Sequence, residues 1–186
     1  TLSTAGLTVS IYALGVTIGA PLLTALTSRL SRKNVLLLVM VLFIIGNLLA
    51  ALAPSFSLLL TGRVISALAH GVFMSIASVI AADVVAPNKR ASAIAFMFTG
   101  LTLATVTGVP LGTFIGQVTD WRMSFIFIVI IGIIGLISNA LLVPSQLSKG
   151  NPISFRDIGK VLGNIRMLLI LFITAIGYGG AFVVYT

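Results

Sequence analysis

Residues 56–82 read FSLLLTGRVISALAHGVFMSIASVIAA, a run with one arginine, Arg63, one histidine, His70, and no acid. A helix needs about 20 residues to cross a bilayer, so this run is long enough. Five more apolar stretches flank it: residues 1–28, 35–53, 91–119, 123–143 and 167–186, all free of charged side chains. Each far exceeds the roughly 10-residue alternating strands of a membrane barrel. Backbone groups in lipid must pair within their own element, which leaves helices. The expected fold class is therefore all-α, a polytopic membrane helix bundle.

Composition agrees. Of 186 residues, 59% are hydrophobic and only 8% charged, with a mean hydropathy of +1.23. A soluble domain carries about 25% charged residues. The net charge of +8 is no sign of nucleic acid, because a basic footprint needs a water-facing surface. Its placement is topological. Arg29, Arg32, Lys33, Lys89, Arg90, Lys149, Arg156, Lys160 and Arg166 all fall in connectors on one side of the membrane, whereas the other side holds Arg122 alone. The positive-inside rule makes the basic side cytoplasmic. The amino-terminal residue then lies outside the cytoplasm. The chain lacks cysteine, so it has no disulfide framework or thiolate metal site. It starts at Thr1 and ends within an apolar run, and is read as a fragment.

Residues 144–166 form the one long connector, polar and basic, with Gly150 and Pro152. It reads as a cytoplasmic linker between a bundle at 1–143 and a further helix at 167–186. Spans 35–53 and 123–143 are bland, with Asn47 and Asn139 their main polar exceptions, and are expected to need only lipid and a packing neighbour.

The span 91–119 carries Gly100, Ala104, Gly108, Gly112 and Gly116, one every fourth position. That spacing lines up five small side chains on one helix face, where another helix can approach closely. Pro110 lies within the stripe and lacks an N–H, so the Val106 carbonyl loses its partner and a bend is expected. Gly15 and Gly19 are a weaker pair, read as ordinary packing.

An arginine at a helix centre in lipid costs at least ~2.5 kcal/mol. Arg63 lies about nine residues past Pro54, some 13 Å along the helix. His70 follows two turns later on the same face. A face with Arg63, Ala67, His70 and Met74 is better aimed at a wet cavity than at acyl chains, and such intramembrane ionisable groups mark substrate or ion pathways.

Four motifs, in order, resemble the major facilitator superfamily, and within it the proton-coupled group of bacterial drug, sugar and purine exporters. The stretch from Thr24 to Lys33 resembles the family loop G-x-L-x-D-R-x-G-R-K, with Arg29, Arg32 and Lys33 matching. Ser28 stands where that loop has aspartate, and Ser31 where it has its second glycine. Arg63 to Gly71 resembles the arginine and small-residue run of helix four. Ala104, Gly108, Val109, Pro110, Leu111 and Gly112 approximate the antiporter motif, and Trp121, Arg122 and Phe125 match the W-R-x-x-F start of helix six.

The resemblance covers the whole chain as helices two to seven of twelve. It implies a secondary transporter in the bacterial cytoplasmic membrane, driving efflux by alternating access with no cofactor beyond a proton gradient. Its partners would be a small-molecule substrate, lipid and the missing helices of the same protein, acting as a monomer. The expected pathway residues are Arg63, His70, Tyr12, Met74 and Tyr178. The stripe around Pro110 would be a sliding contact between bundles, and Asp83 would pair with Arg32, beside Arg29 and Lys33, as a cytoplasmic latch. No enzyme activity, catalytic residue or metal is implied. A channel would want rings of charge or carbonyls; a receptor-like structural bundle leaves Arg63 and the Pro110 stripe together unexplained.

Overall fold

The computed structural model describes residues 2–27, 29–145, 147, 159–160 and 163–184; side chains are described within these apart from 2–6 and 177–184. The described residues form helices joined by short turns, with no strand among them. Helix α1 spans Leu2–Thr27, α2 Arg32–Ala51 and α3 Phe56–Asp83. A short 3₁₀ turn, Pro87–Lys89, leads into α4 at Arg90–Leu103. A π-helical turn, Ala104–Gly108, joins α4 to α5 at Val109–Val118. Helix α6 spans Trp121–Leu142 and α7 spans Ile165–Val184. Two compact units result, Thr1–Asn151 and Pro152–Thr186. The second contains α7.

The helix starts follow from local chemistry. The first turn of a helix leaves N–H groups without partners, and a serine or aspartate side chain supplies an acceptor. Ser31 Oγ accepts from Asn34 N–H at 3.3 Å, Ser55 Oγ from Leu58 N–H at 3.4 Å, and Asp120 Oδ1 from Arg122 N–H at 2.9 Å. Ser31, which stands where the resembled loop has glycine, therefore starts α2. Within the spans, hydroxyls bond back to their own helix, as with Thr17 to the Ala13 carbonyl at 2.9 Å and Ser66 to the Gly62 carbonyl at 2.9 Å. Each of these hydroxyls thereby keeps a hydrogen-bond partner in an apolar surround.

Helix α3 is the centre of the first unit, packed on both α1 and α2. The contacts are glycine-mediated. A Cβ on Gly46 would lie 2.5 Å from Ser66 Oγ and 2.8 Å from the Gly62 carbonyl; one on Gly62 would lie 2.5 Å from the Gly46 carbonyl. On the other side, a Cβ on Gly19 would lie 2.8 Å from Leu68 Cα, and one on Gly71 would lie 2.9 Å from Ala20 Cβ. Backbones this close gain van der Waals contact that lipid tails cannot give. Val35, Val39, Ala69 and Val72 form the buried core beneath.

The expectation that the span 35–53 needs only lipid and a packing neighbour is corrected here. Helix α2 buries Val35, Leu36, Val39, Gly46, Asn47, Ala50 and Ala51 and packs on both α3 and α6. Asn47 is 1% exposed, its Nδ2 donating to the Phe43 carbonyl at 2.8 Å. Leucine and valine suit lipid and protein contact alike, so composition alone does not sort the two.

Candidate functional site

The close α1–α3 packing brings Tyr12 against α3 between Arg63 and His70. The Arg63 guanidinium lies over the Tyr12 ring, 4.1 Å from its centroid, and 5.9 Å from that of Phe125 on α6. His70 meets the other side of the cluster, edge-to-face with Tyr12 at 6.0 Å and 75°. Cation–π attraction to a ring face steadies a guanidinium where water is scarce. Among the described residues Arg63 has no ion pair and no hydrogen bond.

His70 also borders a cleft of about 880 Å³ formed by α2, α3, α4, α5 and α6. Met74 lines it beside His70, facing Gly100, Ala104, Gly108 and Gly112 across the space. The small-residue stripe therefore looks into the cleft. A Cβ at Gly100, Gly108 or Gly112 would meet nothing within 4 Å, whereas one at Gly116 would lie 3.0 Å from Ser124 Oγ. Pro110 is outside the lining. The chain relaxes into the π-helical turn Ala104–Gly108 just before it, which widens the hydrogen-bond ladder by one residue where the proline offers no donor.

The rest of the lining was not anticipated from sequence. Helix α2 adds Val39, Met40 and Phe43; α3 adds Phe73; α4 adds Met97; α6 adds Ser124, Phe127, Ile128, Ile131, Gly132, Gly135 and Asn139. The α6 positions recur every three or four residues, so a single-face reading of Ser124, Gly132, Gly135 and Asn139 would have found them. The polar groups are mostly occupied. Ser124 Oγ donates to the Gly112 carbonyl at 2.7 Å, and Asn139 Nδ2 donates to the Gly135 carbonyl at 2.8 Å. Methionine and aromatic side chains make the surface soft and adaptable.

At the end of the bundle that carries the basic connectors, Arg32 forms an ion pair with Asp83, the last residue of α3. Lys33 turns elsewhere. Its Nζ donates to the Ala140 carbonyl at 2.8 Å and the Val143 carbonyl at 2.7 Å, and lies 3.3 Å from Ser145 Oγ. A cation here fills the orphan carbonyls at the carboxyl end of α6 and meets the negative end of its dipole. Arg29 stands exposed in the α1–α2 connector. At the opposite end, Arg122 donates to the Ala53 carbonyl at 2.9 Å and stacks on Trp121 at 4.3 Å, tying the start of α6 to the α2–α3 connector. The side chain of Tyr178 lies outside the described residues.

Known proteins are similar throughout. The chain is 62% identical over 184 residues to the uncharacterized MFS-type transporter YtbD of Bacillus subtilis, covering 99% of this chain and 46% of that protein. It is 40% identical over 182 residues to the inner membrane transport protein YdhP of Escherichia coli, covering 98% of this chain and 46% of that one. A probable sugar efflux transporter of Helicobacter pylori is 36% identical over 140 residues, covering 75% of this chain and 34% of that protein. The chain thus spans about half the length of the relatives it matches most fully. With the Major Facilitator Superfamily profile matching residues 1–186, the chain belongs to that family.

Proposed function

We propose that the full-length protein is a secondary active exporter of small molecules, working by alternating access and coupled to protons. The observation that carries this reading is the Arg63–Tyr12–His70 cluster, which holds a cation against aromatic rings inside a membrane-spanning helix and, through His70, borders a large apolar cleft. Intramembrane ionisable groups of this kind serve pathways by default. A transporter places its site near the midplane between two sets of helices. The relatives are named as transporters, one of them for sugar efflux. Apolar helices and an inner-membrane relative put the chain in the bacterial cytoplasmic membrane as a multi-pass protein.

In this reading the stripe from Gly100 to Gly116 with Pro110 is a sliding surface for helices beyond this chain. The pathway is built by Arg63, His70, Tyr12 and Met74. The Arg32–Asp83 pair, flanked by Arg29 and Lys33, biases the cytoplasmic gate. The protein acts as a monomer in lipid, with the proton gradient in place of a cofactor. His70 is the titratable side chain among the cleft residues. Export is tested with the full-length gene in cells challenged by antibiotics, purine analogues and sugar analogues, followed by efflux from proteoliposomes with and without a pH gradient. Gradient-dependent export of one compound class is expected. Equal flux without the gradient removes proton coupling, and channel-like flux that never saturates removes the carrier reading.

A further inference from the structure

We infer that the π-helical turn Ala104–Gly108 is a register device: its one extra residue turns α5 so that Gly108 and Gly112 face the same cleft as Gly100 and Ala104, and its collapse into regular helix turns them away. The inference stands on backbone geometry and goes beyond the transport reading. Successive residues of an α-helix lie about 100° apart around the axis. Positions four apart therefore drift by about 40° at each step. In an unbroken helix Gly112 would stand about 120° from Gly100.

The cleft lining shows that drift removed. Helix α4 and the start of the turn contribute Met97, Gly100, Leu101 and Ala104. The end of the turn and α5 contribute Gly108, Val109, Gly112 and Thr113. Counted along a continuous α-helix, the mean directions of these two sets differ by about 100°, which is the angle of one residue. A π-turn holds one residue more than an α-turn, because its bonds reach the fifth N–H along instead of the fourth. The turn Ala104–Gly108 falls at the junction of the two sets. With it in place, Gly100 and Gly112 come within about 20° of each other. Two features hold the wide form. Pro110 has no N–H, and in a regular helix its ring would press on the Val106 carbonyl. The hydroxyls of Thr105 and Thr107 donate to the Leu101 and Leu103 carbonyls at 2.9 and 2.7 Å, giving those acceptors partners where the ladder changes step. The wide and regular forms differ in only a few hydrogen bonds, so the α4–α5 arm has two settings, about 100° of rotation apart.

The test uses full-length protein freed of cysteine, with two cysteine pairs introduced separately and oxidised in membranes. Ser78→Cys with Met97→Cys reads α4, because Ser78 Oγ lies 4.0 Å from Met97 Sδ. Gly116→Cys with Ser124→Cys reads α5, because a Cβ at Gly116 would lie 3.0 Å from Ser124 Oγ. Both pairs are expected to crosslink in the parent. Combining Pro110→Ala with removal of Val106 leaves a regular helix one residue shorter, which keeps both faces, so both pairs should still form. Removing Thr105 as well leaves no spare residue, and one pair should be lost. Pro110→Ala alone keeps every residue and frees the arm to take its second setting, so at least one pair should crosslink less completely. That variant reads the inference even if removal of Val106 prevents folding. Failure of either pair in the parent, or its loss on removing Val106 with Pro110→Ala, overturns the inference. So does retention of both pairs after the second removal, or full crosslinking of both in Pro110→Ala. Neither pair reads export, so these outcomes are separate from the fate of the transporter reading.

Discussion

Lys33 shows how much one side chain does at a helix end. It reaches from the start of α2 to the last carbonyls of α6, at 2.7 and 2.8 Å. Lys33→Ala should lower stability of the full-length protein by about 1–2 kcal/mol, since charged hydrogen bonds are lost and carbonyls are bared. Lys33→Arg should restore part of it. Denaturant unfolding in detergent checks both. Its neighbour Arg32 behaves differently. The Arg32–Asp83 pair is partly exposed on both sides, so Asp83→Asn should cost at most about 1 kcal/mol. Its larger expected effect is on the balance between inward- and outward-open states, which a latch shifts by small energies. Cysteine accessibility at cytoplasmic positions should rise in Asp83→Asn and return toward normal in the charge swap Arg32→Asp with Asp83→Arg. Unchanged accessibility would leave the pair as plain structure. At this scale the sequence was informative: the acid and the bases sit at one depth on adjacent connectors, so the pairing of Arg32 with Asp83 was legible. The destination of Lys33 was not, because the end of α6 lies 107 to 110 positions away in the chain.

Among the helices, two kinds of glycine part company. Gly46 and Gly62 stand where backbones touch, and an added Cβ would reach to 2.5 Å of an oxygen. Gly100, Gly108 and Gly112 face open space. Gly46→Ala should therefore destabilise by about 1–3 kcal/mol through overpacking. Gly108→Leu and Gly112→Leu should leave folding and insertion of this bundle intact and abolish transport. The paired readout is thermal unfolding and efflux on the same preparations; normal efflux in the leucine variants would dispose of the sliding-surface role. The stripe was plain in the sequence because it repeats within one helix. The Gly46–Gly62 contact was hidden because each helix supplies one member, and the spacing within a helix carries no information about its neighbour. The same blindness made α2 look like a lipid-facing helix when it is the most enclosed of the five spanning helices. Pro110 was legible as a disturbance, but whether a helix answers a missing donor by bending or by widening a turn depends on its surroundings.

On the scale of the whole molecule, hydropathy was enough to read the five long apolar helices between residues 1 and 143. Five helices long and apolar enough to span a membrane are present among the described residues, and the connectors alternate between basic and nearly uncharged. Reporter fusions on the full-length protein should place the 84–90 connector in the cytoplasm and the 52–55 connector outside. Fusions giving the same side for both would undo the topology.

Arg32 and Lys33 are adjacent in the chain, yet one grips the end of α3 and the other the end of α6. Bolted together at one rim, those three helices have little freedom to slide past each other there. Spin labels set near the cytoplasmic ends of α2 and α6 should keep a single interspin distance whether the protein is empty, loaded or energised, while labels on the loosely held α4–α5 arm should not.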